Sequence, residues 1–204
     1  MFPPGAAPAL REVPVTLTDR IDTLVTPTFR AFLTADRAVR VAISQGNGDA
    51  ANVARSAAML AARQASAEMH RLTDAVHFER PVWLPEGLLT AAAVRWWVQE
   101  HYCRRLRSNA LSTDLDLLDD IENALKHIEL NPRKDPRRVV SEKAVLASET
   151  GYGGGEFCEG VYDGAEQMIV TLTDGTKRPL SAILQNCLDA WTLAAGRTLP
   201  PIEQ

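Results

Sequence analysis

The sequence of 204 residues has little that would assign it to a class by composition alone. Its three cysteines, Cys103, Cys158 and Cys187, are an odd number without CxxC spacing, which argues against a disulfide framework and a zinc ribbon. The sequence has no run of about 18 uncharged apolar residues, and its first residues lack the basic start and apolar core of a signal peptide. We therefore expect a cytoplasmic protein with reduced thiols and no membrane association.

An excess of positive charge is also missing. The formal net charge is -4 at pH 7, so the whole chain exerts no attraction on nucleic acid. An RNA contact would need a local basic patch, such as Arg104–Arg105 with Arg107, or Arg133–Lys134 with Arg137–Arg138. The same residues also suit a solvated helix end and a solvated loop. The charge pattern leaves both an RNA and a protein partner open.

Proline divides the N-terminal part of the chain. Four prolines before residue 18 predict an extended arm over 1–18, followed by one compact domain over 19–204. Helical periodicity predicts a bundle over 19–131, in which Pro27 should kink or split the first segment. A long helix to about Phe78 and another from about Glu86 to Arg107 follow. The apolar ridge predicted for the long helix is Val53, Ala57, Leu60, Met69, Leu72 and Val76.

The C-terminal part has a different pattern. Short apolar runs predict strands at Val139–Val140, Ala144–Leu146 and Met168–Leu172, and Asp174–Gly175 predicts a tight hairpin. We therefore predict an α+β fold, mostly α: an antiparallel helical bundle with a small C-terminal antiparallel β-hairpin or three-stranded sheet over 137–180. A final helix over 181–196 completes it.

Two further segments suggest surfaces. Trp96 and Trp97 are adjacent and point about 100° apart on a helix, so we expect one in the core and the other on a groove or partner surface. The glycine-rich stretch from Gly151 to Gly164 lacks the Gly-Lys-Ser/Thr ending of a phosphate loop and joins two predicted strands. Its aromatic residues, Tyr152 and Phe157, make it a candidate mobile flap over a site or partner.

One short helix carries a polar stripe. Asp116, Asp120, Asn123 and His127 share one face of an amphipathic helix, away from the arc of Leu118, Ile121, Leu125 and Ile128. Because the apolar arc can serve the core, the stripe is available for other work.

The run Glu122-Asn123-Ala124-Leu125-Lys126-His127 resembles the signature of the HEPN superfamily of small helical bundles. Ribonuclease members of that family carry Arg-Asn, with His four residues after the Asn. Asn123 and His127 match, whereas Glu122 stands where the family has arginine. The resemblance implies His127 as general acid or base and Asn123 as the group that orients it. Since Glu122 would repel phosphate, Lys126 or Arg104 would have to supply the positive charge.

Other interpretations of the stripe remain open. Asn123 and His127 could form a structural pair that fixes the register of a neighbouring helix. Asp116, Asp120 and His127 could bind a metal with His101 as a fourth ligand, although no His-x-x-x-His spacing supports this. His70 and His77 are seven residues apart, too far for a shared ligand, and are interpreted as ordinary boundary residues.

These observations predict a HEPN-like domain that is non-catalytic or of degenerate activity and acts as a homodimer. The alternatives are a metal-independent ribonuclease of toxin or defence type and an accessory protein that binds another protein. The candidate catalytic residues are His127 and Asn123, and no cofactor or metal is expected. The candidate binding residues are Glu122, Lys126, His101 and Arg104.

Overall fold

The computed structural model describes residues 16–104, 113–126, 137–139, 141–148 and 167–199. The fold is α+β and mostly α, as predicted, with a bundle leading into a small sheet and a returning helix. The helices are α1 (Leu17–Arg20), α2 (Thr26–Ser44), α3 (Gly48–Glu79), α4 (Ala91–Tyr102), α5 (Asp114–Lys126) and α6 (Leu180–Ala194). The strands are β1 (Val145–Ser148), β2 (Gln167–Thr171) and β3 (Lys177–Pro179).

The first helix begins at a capping box. Thr16 accepts a hydrogen bond from the backbone of Asp19, whose carboxylate accepts one from the Thr16 backbone, so α1 starts before residue 19. A π-helical turn, Ile21–Val25, then joins α1 to α2 just before Pro27. Because proline has no N–H to donate to the preceding turn, the predicted interruption takes the form of this wider turn.

The helix predicted over 86–107 is shorter in the structure. Arg80 ends α3 in a left-handed conformation (φ 47°), and its guanidinium donates to the backbone carbonyls of Leu88 and, at 3.0 Å, Glu86. These bonds hold residues 81–90 in turns. Thr90 then caps α4 by accepting from the Ala93 N–H at 3.1 Å, and α4 ends at Tyr102.

The ridge predicted for α3 combined two faces of the helix: its second half is confirmed and its first half is wrong. Met69, Leu72 and Val76 are buried, whereas Val53 and Leu60 are exposed. At 100° per residue these two sets lie on opposite sides of the helix. The first half of α3 faces the core with small side chains instead: Ala51, Ala58, Ala62 and Ala65.

The sheet is antiparallel, with the strand order β1-β2-β3 and Val145 opposite Val170. The predicted hairpin lies between β2 and β3, where Gly175 adopts φ 86° and Asp174 Oδ1 accepts from the Thr176 N–H at 2.8 Å. Val139 is buried but belongs to no strand. Buried Asp36 of α2 accepts the Met168 N–H at 2.9 Å, which ties the middle strand to the bundle.

The two adjacent tryptophans have different surroundings, as predicted. Trp97 packs against the core and stacks on Trp83 and His101, with ring centroids 6.0 and 4.4 Å away. Trp96 keeps 53% of its surface in solvent. At the centre of the fold, Trp191 of α6 is fully buried. The core therefore uses Trp97 and Trp191, and Trp96 remains available to a partner.

No helix within the described ranges is long and apolar enough to cross a membrane. The glycine-rich segment and Cys158 lie outside the described residues.

Candidate functional site

The helix that carries the polar stripe, α5, packs its apolar arc into the core as predicted. Leu118, Ile121 and Leu125 are buried, together with Leu117 and Ala124. The acidic residues of its first turn complement the positive end of the helix dipole. The possible roles of the polar side chains of α5 therefore depend on the groups that they contact beside this buried arc.

Glu122 is turned toward the protein interior. It is 4% exposed and forms an ion pair with Lys126 one turn later. The carboxylate that stands in place of the HEPN arginine therefore has its charge offset within the same helix. Lys126, which could have supplied positive charge to a phosphate, is engaged by Glu122.

Asn123 is also engaged. Its Nδ2 donates to the Asp119 backbone carbonyl at 2.6 Å and lies 3.4 Å from Asp119 Oδ1. His127 lies outside the described residues, so its pairing with Asn123 stays a prediction. Within the described part of α5, the amide contacts a carboxylate of its own helix.

Asp119 links three helices. His70 Nε2 of α3 lies 2.9 Å from Asp119 Oδ1, and Arg95 Nη1 of α4 lies 3.3 Å from the same oxygen. The hydrogen bond from His70, followed by the positive charge of Arg95, lowers the pKa of Asp119 below its ordinary value despite partial burial. The carboxylate is therefore ionised at neutral pH. We call His70, Arg95, Asp119 and Asn123 the Asp119 cluster.

The other acidic residues of the stripe also contact protein groups. Asp116 accepts from Arg95 Nε and Gln99 Nε2, both at 2.9 Å. Asp120 accepts the Arg138 N–H at 3.1 Å. Across the described ranges no three of His, Cys, Asp and Glu are grouped as a metal ion would require. The carboxylates of the metal hypothesis are thus bound to arginine and amide donors.

His101 and Arg104 lie at the other end of α4, away from Asn123. His101 Nδ1 donates to the Trp97 carbonyl at 2.7 Å, and its ring stacks on Trp97. Arg104 pairs with Asp189 of α6 at 2.8 Å. Arg95 of α4 reaches Asn123 through Asp119.

Of the Asp119 cluster, only Asn123 was predicted from the sequence as a site residue. His70 was interpreted as an ordinary boundary residue, yet it hydrogen-bonds to Asp119, 49 positions later in the chain. No local spacing connects residues on α3, α4 and α5. The one available signal was the position of Asp119 beside the polar stripe.

Neither thiol in the described residues is suited to nucleophilic chemistry. Burial, reinforced by the negative charge of Asp114, raises the pKa of Cys103 to about 12. Burial also raises the pKa of fully buried Cys187 well above its ordinary value. Because the thiolate is the reactive form, both remain unreactive thiols at neutral pH.

Comparison of the chain with protein-family models, curated proteins and solved structures found no match.

Proposed function

We propose that this chain is a cytoplasmic, HEPN-like interaction module without catalytic activity, which acts as a homodimer and binds a protein partner. The observation that carries the proposal is a group of large apolar side chains in solvent around the α3–α4 connection. Phe78 is 82% exposed and Trp96 53% exposed, and Val82 and Leu89 between them are also exposed. We call these four residues the α3–α4 apolar surface.

The character of this surface supports a protein partner. Aromatic residues are enriched in protein interfaces, and exposed apolar groups gain free energy when a partner removes them from water. Two of the nearby charges are engaged: Glu79 pairs with Arg20 at 2.9 Å, and Arg80 donates to backbone carbonyls. An apolar segment of a partner could therefore dock here without leaving either charge unpaired.

The polar side of α5 supports the non-catalytic part of the proposal. Glu122 is paired with Lys126, and Asn123 donates to Asp119. Groups that are satisfied within one helix offer few donors to a phosphate or a reacting oxygen.

Site-specific crosslinking tests the proposed surface. A photoreactive amino acid at Val82 should capture a discrete protein in the cells from which the chain comes, and one at exposed Arg37 of α2 should not. The captured protein, once purified, should bind the wild-type chain at least about tenfold more tightly than the Trp96→Ala variant. Equal binding by both forms, at equal melting temperatures, would contradict the proposed surface.

A metal-independent ribonuclease is the second candidate function. The contact of His70 with Asp119 favours it, because a carboxylate that orients an imidazole beside a guanidinium is an arrangement used in acid–base catalysis. In this alternative His127 is the predicted acid or base, and Asn123 orients it.

Mixed RNA without added metal separates the two candidates. If the wild-type chain degrades it and His127→Ala abolishes the activity at an unchanged melting temperature, the non-catalytic proposal is wrong. His70→Ala tests the described histidine in the same way. His101→Ala is the matched control, because His101 stacks on Trp97 outside the Asp119 cluster.

A further inference from the structure

The first half of α3 presents an apolar stripe to solvent. Val53 is 71% exposed and Leu60 60% exposed, and Ala57 lies exposed between them. At 100° per residue these three residues fall within about 60° of one another, opposite the buried alanines. An outward helix face is normally polar. We call Val53, Ser56, Ala57, Leu60 and Gln64 the outer stripe of α3.

A shallow groove of about 390 Å³ runs beside the outer stripe. It is lined by Arg55, Ser56, Met59, Leu60 and Arg63. Val53 is exposed one turn before Ser56, which belongs both to the outer stripe and to the lining of the groove. A surface that carries both a projecting side chain and a groove can match a second copy of itself, as an interface with twofold symmetry requires.

We propose that the outer stripe binds the outer stripe of a second copy of this chain, with the two α3 helices antiparallel. This inference rests on the homodimer in the proposed function and assigns its interface. The twofold axis passes between Ser56 and Ala57. Val53 of each copy then faces Leu60 of the other, and Ser56 faces Ala57.

Side-chain size supports this crossing point. Helix axes approach to about 8–10 Å, depending on the residues at the contact. Ser56 and Ala57 are both small and exposed, so they permit a close approach at the axis. The larger Val53 and Leu60 then pack on either side of it.

The charges favour an antiparallel pair over a parallel one. Asp49 is exposed at the start of α3, on the same side as the outer stripe. In the antiparallel pair Asp49 faces Gln64 of the second copy, whose amide can donate to the carboxylate. In a parallel pair Asp49 would face its own copy, and like charges repel. Arg63, on the flank, is already paired with Glu142.

The size of the contact predicts a weak dimer. One helix stripe on each copy covers less surface than the about 800 Å² per partner of a standard stable interface. Association should therefore depend on concentration. Sedimentation of the full chain over about a hundredfold range of concentration should show a monomer–dimer equilibrium.

Charge substitution tests the interface and its direction. Val53→Glu and Leu60→Lys should each raise the dissociation constant at least about tenfold, because each places a charge against an apolar side chain. Mixing the two variants should restore dimers, since one Glu–Lys pair and one Val–Leu pair then face each other. Both positions point away from the core, so circular dichroism should show unchanged folding. Leu24→Glu, at an exposed apolar position outside both proposed surfaces, is the matched control and should leave the dissociation constant unchanged.

The outcomes separate this inference from the proposed function. A wild-type chain that stays monomeric throughout would overturn both the antiparallel interface and the proposed homodimer. Dimers that persist in Val53→Glu and Leu60→Lys would overturn the interface and leave the homodimer intact. Loss of dimers without rescue on mixing would overturn the antiparallel register. Loss in both variants, rescue on mixing and no effect of Leu24→Glu would support the whole inference.

Discussion

The two halves of α3 share one helix and one core-facing side, but they fill that side differently. The first half buries Ala51, Ala58, Ala62 and Ala65, and the second half buries Met69, Leu72 and Val76. Alanine brings a neighbouring helix close but removes little apolar area from water, whereas Met, Leu and Val remove much more. The two halves should therefore respond oppositely to changes in side-chain size.

The outer sides of the two halves differ as well. The first half exposes Val53 and Leu60, whereas the flank of the second half holds His70 against Asp119. The second half is therefore fixed by both packing and polar contacts within the chain. The first half gains less free energy from burial within its own chain.

The largest expected effect lies in the second half. Met69→Ala should lower the free energy of unfolding by about 2–5 kcal/mol, because it leaves a cavity in a fully buried position. Urea denaturation measures this loss. The matched control is Met59→Ala in the first half, where the side chain is only partly buried and the loss should be smaller. Equal losses at both sites would show that the two halves of α3 do not differ in how much their buried side chains stabilise the fold.

Larger side chains at buried positions should lower stability in the first half of α3. Ala62→Leu should cost about 1–3 kcal/mol, because this fully buried position leaves no room for the extra atoms. Ala57→Leu, on the exposed side of the same helix, should change stability by no more than about 0.5 kcal/mol. If thermal unfolding showed no loss of stability for Ala62→Leu, the buried alanine face of α3 would not be closely packed.

The Asp119 cluster should stabilise the second half of α3 by a free energy similar to the cost of Ala62→Leu. Asp119→Ala removes the acceptor of both His70 and Arg95, and losses of about 1–3 kcal/mol are usual for such partly buried groups. Asp74→Ala, which removes an exposed carboxylate from α3, is the control and should have little effect. Similar melting temperatures for the two variants would mean that the cluster adds nothing to stability.

Acid should remove the contribution of Asp119. Its pKa is lower in the folded protein than the ordinary 3.8, so the unfolded chain takes up the proton first as pH falls. The stability it adds is complete above about pH 4 to 5 and is lost as pH falls through the folded pKa. The difference in melting temperature between wild type and Asp119→Asn should therefore shrink below pH 4. A difference that stayed constant would show that the carboxylate charge is not involved.

The smallest effects are expected on the outer side of both halves. Leu60→Gln and Phe78→Gln should each change the stability of the monomer by no more than about 0.5 kcal/mol, because both side chains are mostly in solvent. Unfolding at low protein concentration measures the monomer. A large loss from either substitution would mean that the side chain is covered within the chain.

Structural features that depend on residues close together in the chain could be predicted from the sequence alone. The Asp174–Gly175 hairpin and the apolar arc of α5 depend on neighbouring residues, and the structure contains both. The 100° step between Trp96 and Trp97 likewise required different surroundings. These features follow from backbone geometry and hydrogen bonds within a few residues.

Which apolar face of α3 is buried could not be predicted from the sequence, because both faces carry helical periodicity. The outcome depends on the elements that pack against each face. The start of α4 also depends on a tertiary contact, because the Arg80 side chain holds the preceding turns. The partners of Asp119 come from α3 and α4, far away in the sequence. A single sequence shows no pairing of this kind, because the contact depends on how whole helices are placed.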